Sequence, residues 1–385
     1  MWYDGKKSSV TEIKVQELWV TSWDSATPDQ YYRPLLLSCP CKYSNAVAVS
    51  VMQTPCQRPN NIFWLTPADT KRRKRNFAVC LKPLNYQKDL TSRLIEWLEL
   101  QFILGADTIS VYKYNLHLRT EKVLKSYAED GRVMVHQHQL PEDLEDQPKV
   151  LLKWQNQHAF SDTGDPKVRD KLLDTDLVQI RPKLVEDSHR NVTDLWQKRR
   201  HEMVIYNDCF YRHINSHKFV VNLDLDEAIV PLRHNSWEDL LDQAMVEDPR
   251  LAKSASMSAQ NVYFFDAFPE DDSIPKEFHM LRHVSRSANF TPPGFAQKSF
   301  FATDLALSVT NHYALKSLHP GIRTIGGISK DLAQLHHYRE ACPPKMEKEC
   351  EDDYMKYWIK DPVILRFKDK LMENVRFKLK SLNTT

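Results

Sequence analysis

The stretch Phe219-Val220-Val221-Asn222-Leu223-Asp224-Leu225-Asp226-Glu227-Ala228-Ile229-Val230-Pro231 decides how this chain is read. An apolar, β-branched run of this kind is a buried strand, and it ends in three carboxylates, Asp224, Asp226 and Glu227. Side chains alternate along a strand, which predicts Asp224 and Asp226 on one face and Leu225 on the other. Two such carboxylates at a strand end are costly unless a cation neutralises them. Ligands of open α/β sheets bind at that carboxyl end. A hard divalent ion, Mn²⁺ or Mg²⁺, held by these oxygens and by the phosphates of a substrate, satisfies both conditions. An Asp-x-Asp pair elsewhere is often a solvated turn. Here Ala228-Ile229-Val230-Pro231 follows at once and keeps the pair inside structure.

The bulk composition sets bounds on this reading. The chain has 385 residues, 42% hydrophobic and 27% charged, enough for one large domain with appendages or for two domains. A formal charge of +2 gives no nucleic-acid footprint. The one dense basic run, Lys71-Arg72-Arg73-Lys74-Arg75, reads as a solvated linker. There are 8 glycines and neither a Gly-x-Gly-x-x-Gly nor a Gly-x-x-x-x-Gly-Lys, so bound phosphates must be held by a metal. Seven cysteines leave the compartment open, although Cys342 and Cys350 can close a short loop in an oxidising one. Sequons begin at Asn191, Asn289 and Asn383, a number that chance also produces. No run reaches the roughly 20 apolar residues of a membrane span, and no signal peptide opens the chain. The protein is therefore expected to be cytosolic, or to lack here an N-terminal anchor.

Outward from the carboxylates, the pattern predicts an α/β fold. Residues 1–75 form a β-rich lead-in and basic linker, with alternating stretches at Glu12–Val20 and Ala46–Met52. Phe77–Leu81 is a strand, Thr91–Leu104 a helix with Leu94, Trp97, Leu98 and Phe102 inward, and Gly105 its end. A strand over Thr108–Tyr114, a helix over Arg119–Glu129 and a strand over Val133–His136 complete a βαβαβ unit, the signature of a parallel sheet. Residues 141–190 are polar and patternless, a long loop. A helix from about Thr193 to Tyr211, with Leu195, Trp196, Met203 and Ile205 inward, feeds the carboxylate strand. Ser236 opens another helix, Ser256–Phe265 reads as one strand, and residues 345–380 are a helical tail restarting at Pro362.

Several blocks in this order resemble glycosyltransferase family 92, metal-dependent galactosyltransferases of the GT-A fold. They are Phe77-Ala78-Val79-Cys80, Ile95-Glu96-Trp97-Leu98-Glu99-Leu100, Leu104-Gly105-Ala106-Asp107, Val111-Tyr112 and Leu124-Lys125-Ser126-Tyr127. Asn207-Asp208-Cys209 leads into Asp224-Leu225-Asp226-Glu227, the most specific block, and Lys298-Ser299, Asn311-His312-Tyr313 and His336-His337-Tyr338-Arg339 follow. The resemblance implies a GT-A-like (Rossmann-like) domain over residues 76–340, flanked by the N-terminal region 1–75 and a helical tail 341–385. It implies a UDP-sugar donor, UDP-galactose first, a glycan or glycoprotein acceptor, Mn²⁺ on the Asp-x-Asp, and inversion. It also implies a type II membrane protein of the Golgi lumen, which the missing anchor does not match.

Roles follow from chemistry. A cation at the diphosphate stabilises the charge left when the sugar–phosphate bond breaks. Asp226 is expected as a direct ligand and Asp224 on the metal or the ribose. Glu227 is expected to orient the loop, and Lys298 to contact phosphate. Neutral imidazole completes a Mn²⁺ shell, with His312 the first choice and His337 the second. An inverting transfer needs a carboxylate base, and Asp266, Glu270, Asp271 and Asp272 are the candidates. Two rivals stand. Asp224 and Asp226 also resemble the nucleophile and acid of a haloacid-dehalogenase-type phosphatase, although Ala228 departs from that motif. A non-catalytic, glycan-binding relative is the other.

Overall fold

The computed structural model describes residues 1–20, 23, 32–65, 73–139, 182–342 and 347–383, and the side chains of 182–196 are outside that description. Most of the stretch expected as a long loop, 141–190, therefore lies outside the described residues, as do Lys71, Arg72 and the side chains of Leu195 and Trp196.

Strands β1 (Arg75–Tyr86), β2 (Ala106–Leu116) and β3 (Val133–Gln137) alternate with helices α1 (Thr91–Leu104) and α2 (Leu118–Glu129), the expected βαβαβ unit. Helix α3 (Pro182–His213) leads into β4 (His217–Leu223), which lies parallel to β1. Next come β5 (Glu227–Pro231), α4 (Trp237–Glu247), β6 (Ser256–Ala259), β7 (Asn261–Phe265), the short α5 (His279–Arg282), β8 (Lys298–Ala302), β9 (Gly326–Gly327), β10 (Ala333–Arg339) and α6 (Lys368–Asn383). One sheet has the order β9-β6-β8-β4-β1-β2-β3. All its pairs are parallel except the two made by β8, which runs against β4 and β6. The second sheet, β5-β10-β7, stands beside its carboxyl edge. This is the α/β, mostly parallel, helix-flanked architecture that the sequence pattern predicts.

Period two puts successive residues of β1 into different cores. Phe77, Val79 and Leu81 join the apolar cluster of Leu94, Trp97 and Leu98 from α1, while Ala78 and Cys80 join Met203, Ile205 and Phe210 from α3. Both faces are thus buried, which is why β1 and β4 read as continuous apolar runs rather than alternating ones. Leu371 and Val375 of α6 are fully buried in the first cluster, so the tail is part of the same core. Helix α1 ends where Gly105 takes φ 124°, a conformation that residues with a Cβ rarely adopt. Ser236 caps α4 by accepting the Asp239 N–H at 3.1 Å.

One expected element divides. The predicted strand Ser256–Phe265 is broken at Gln260 into β6 and β7, which belong to different sheets. Both halves are buried on both faces, so their composition is uniform and the break has no hydrophobic signature. The Gln260 side-chain Nε2 donates to Thr291 O at 2.5 Å and its backbone carbonyl accepts from Leu335 N at 2.8 Å, which holds the corner.

Two disulfides are present. Cys80–Cys209 fastens β1 to α3 across 129 positions, and Cys342–Cys350 closes the loop that the spacing allowed. Among the described residues, no helix is long and apolar enough to cross a membrane.

Candidate functional site

Strand β4 stops at Leu223, and Asp224, Leu225 and Asp226 form the tight connection to β5, closed by Glu227 N–H donating to Asp224 O at 3.1 Å. The alternation argument for the two aspartates therefore does not apply: they leave a turn, not a strand. Their different neighbours follow from this. Strand β5 runs antiparallel to β10 with Glu227 opposite His337, and Tyr338 N–H donates to Asp226 O at 2.8 Å. That register brings the His337 imidazole to Asp226.

His337 Nε2 lies 3.6 Å from Asp226 Oδ2, while its Nδ1 is 3.2 Å from Asn261 Oδ1. Nδ1 also lies 3.6 Å from Glu227 Oε1, so Nε2 is the ring nitrogen turned toward Asp226. Two ligands of one ion at about 2.0–2.2 Å stand this far apart, and a hydrogen-bonded second nitrogen is the usual support of a metal-bound histidine. The residues present fit a divalent cation between Asp226 and His337.

Asp224 has other neighbours. Its Oδ1 accepts from Lys298 Nζ at 3.1 Å, and Lys82 Nζ is 3.6 Å from Oδ2. Lys298 is fully buried, and its ammonium also meets Glu227 Oε2 at 3.0 Å and Asn311 Oδ1 at 2.6 Å. Glu227 in turn accepts the Asp224 N–H at 2.9 Å, so it shapes the turn as expected. His312, the first choice for the third ligand, is buried with its Nδ1 2.7 Å from Gln297 O, and its carbonyl accepts from Ser299 Oγ. The imidazole brought to Asp226 is that of His337.

The cleft is richer in cations than the sequence reading foresaw. Burial would raise the Asp226 carboxyl, but His337, Arg339 and Arg93 together hold it well below the usual carboxylate range. Burial alone would lower the Lys82 ammonium, and the charges of Asp224 and Glu202 reverse that and raise it. Burial, then the charges of Asp226 and Asp224, push the Tyr86 phenol up, so it stays a neutral donor. Lys82 and Tyr86 line a small cavity of about 30 Å³ with Asp224 and Asp226. Lys82, Arg93 and Arg339 come from the end of β1, the start of α1 and the end of β10. Only the topology unites them, although Arg339 stood in the His336-His337-Tyr338-Arg339 block.

The four base candidates have different surroundings. Asp266 follows β7, its N–H donates to Arg339 O at 2.9 Å, and its side chain is 43% exposed with Oδ1 3.1 Å from His283 Nε2. Glu270 accepts from Arg282 Nε at 2.8 Å, and Asp272 from the same guanidinium at 3.1 Å. Asp271 accepts from the Ser273 N–H and hydroxyl at 3.0 and 2.6 Å, which hold its carboxyl below the usual range. Of the four, Asp266 is on the rim beside the strand of His337.

The model of glycosyltransferase family 92 matches residues 75–375, from the first core strand into the last helix. The chain belongs to glycosyltransferase family 92. Membership gives no support to the phosphatase reading of Asp224 and Asp226. No curated protein matches the chain in sequence. Among solved structures, S. aureus TarS is similar at 11% identity and a TM-score of 0.30, covering 70% of this chain and 38% of TarS. S. aureus TarS 1-349 in complex with UDP-GlcNAc is similar at 12% identity and a TM-score of 0.28, covering 69% and 59%. HddC from Yersinia pseudotuberculosis is similar at 10% identity and a TM-score of 0.26, covering 72% and 99%. The chain thus spans well under two thirds of TarS. Likenesses this distant bear on neither substrate nor mechanism.

Proposed function

We propose that this family 92 member transfers a hexose, galactose first, from a UDP-sugar to a glycan acceptor with inversion. The observation that carries the reading is the pairing of Asp226 with His337 at 3.6 Å, with Arg339 and Arg93 near enough to lower the Asp226 carboxyl. Asp226 and His337 would hold Mn²⁺ or Mg²⁺, which neutralises charge on the departing diphosphate when bound. Lys82 and the Arg93 and Arg339 guanidiniums place positive charge where the diphosphate must lie, and the neutral Tyr86 hydroxyl adds a donor. Asp224, flanked by Lys82 and Lys298, is left to position the turn and to reach the ribose. Asp266 has the position for taking the acceptor proton. The two disulfides agree with an oxidising compartment, and we place the protein in the Golgi lumen.

The test is release of UDP by purified protein with Mn²⁺ and a glycan acceptor mixture, comparing UDP-galactose with other UDP-sugars. Release from UDP-galactose that vanishes with EDTA and in Asp226→Ala supports the proposal. Release from a different UDP-sugar keeps the transferase and replaces the donor. No release from any donor favours the non-catalytic, glycan-binding relative.

A further inference from the structure

A second group of potential metal ligands shares no residue with the Asp226–His337 pair. Asp266 closes β7, and His279 and His283 stand four residues apart at the two ends of the single turn of α5. Their ligand atoms all lie within 4.8 Å of one another. The segment is held from behind by Glu96 of α1, a fully buried carboxylate that accepts the Met280 N–H at 3.0 Å and the Leu281 N–H at 3.1 Å. The two histidines are therefore fixed by the core and not by their own turn.

The rings are oriented by their neighbours. His283 Nδ1 is 2.6 Å from the His279 carbonyl and donates to it, which turns Nε2 toward the cluster. Nε2 stands 3.1 Å from Asp266 Oδ1 and 3.5 Å from Glu270 Oε1. His279 Nε2 is buried and has no hydrogen-bond partner among the described residues. A divalent cation among these atoms would take the place of the proton shared by His283 and Asp266 and satisfy the unpartnered His279 nitrogen. Two ligands on one ion stand about 3–4 Å apart for bonds of about 2.0–2.2 Å, so the triad closes on a metal by moving less than an ångström or so.

We propose that Asp266, His279 and His283 form a binding site for a borderline divalent cation such as Zn²⁺, separate from the Asp226–His337 site. Two imidazoles and one carboxylate suit Zn²⁺ better than the harder Mg²⁺. The backbone carbonyl on His283 Nδ1 is the outer support such a ligand needs. Glu270 is the nearest further oxygen, but its pairing with Arg282 keeps it outside the coordination sphere. Asp266 is partly exposed, so the remaining positions on the ion open to solvent. Coordination through Oδ1 leaves Oδ2 of Asp266 available, so the site is compatible with a proton-accepting role for that residue.

The test is equilibrium dialysis of the full chain against Zn²⁺, with bound metal counted by mass spectrometry. The expected result is one equivalent that survives Asp226→Asn and disappears in both Asp266→Asn and His279→Gln. Asp266 is on the surface, so its variant keeps the fold even where a histidine variant does not. The proposal is overturned if every bound equivalent survives Asp266→Asn and His279→Gln, or if Zn²⁺ binds only while Asp226 is intact. Neither result depends on whether the protein transfers a sugar.

Discussion

Replacing Lys298 by Met removes the one ammonium shared by Asp224 and Glu227. The side chain is fully buried, and its Nζ stands 3.1 Å from Asp224 and 3.0 Å from Glu227. Asp224 keeps Lys82 at 3.6 Å, whereas Glu227, which is 2% exposed, is left with the His337 imidazole 3.6 Å from its Oε1. Breaking a buried pair by removing one partner costs about 3–5 kcal/mol, because a desolvated charge stays behind. At about 2 °C per kcal/mol, the value for larger domains, the melting temperature should fall by about 6–10 °C. The double variant Lys298→Met/Glu227→Gln removes the orphaned charge and should recover at least about 2 kcal/mol of that loss. Thermal unfolding of wild type, both single variants and the double variant completes the cycle. A fall of less than 2 °C in Lys298→Met, or a double variant no more stable than the single, would refute the reasoning that Lys298 is there to neutralise the turn.

Three further outcomes follow from the geometry. Loss of the Cys80–Cys209 bridge, which spans 129 positions, should cost up to about 5 kcal/mol by the chain-entropy argument, seen as a lower melting temperature in Cys80→Ser/Cys209→Ser. His336 is buried and neutral, accepting from Gln334 Nε2 at 2.8 Å, and burial lowers its pKa from an ordinary 6.5 to about 3. Its contribution is therefore complete above pH 6.5 and falls as the unfolded chain takes up the proton below that. Between pH 6.5 and 5 the loss is about 2 kcal/mol, so urea unfolding of His336→Gln should show a flatter acid limb by that amount. Asn261→Ala removes the acceptor of His337 Nδ1–H and should weaken Mn²⁺ binding about 10–100-fold, measured by titration calorimetry.

What the sequence disclosed and what it withheld divide along physical lines. Helix α1 was legible to the residue because a stripe of Leu94, Trp97 and Leu98 coincides with a glycine stop at Gly105. The βαβαβ order was legible because both faces of β1 and β4 are buried, so the strands announce themselves as apolar runs. The division at Gln260 was hidden, since a strand that changes sheets keeps the same composition on either side. The turn at Asp224–Asp226 was hidden for a related reason: the apolar residues flanking it belong to two strands of different sheets. Lys82, Arg93 and Arg339 were not singled out, because what brings these cations to Asp224 and Asp226 is spatial. The place of His337 beside Asp226 depends on the register of β5 against β10, which no local pattern specifies. The Cys80–Cys209 bridge likewise required knowing that α3 crosses behind β1.

The central claim is that Asp226 and His337 hold the divalent metal. Titration calorimetry of Mn²⁺, in the presence of UDP, into wild type, Asp226→Asn, His337→Gln and His312→Gln tests it most directly. The account predicts that the Asp226 and His337 variants lose more than about 100-fold in affinity, beyond what an outer partner contributes, while His312→Gln stays within a few-fold of wild type. Retained binding in His337→Gln together with its loss in His312→Gln would contradict the account and move the metal to the other imidazole.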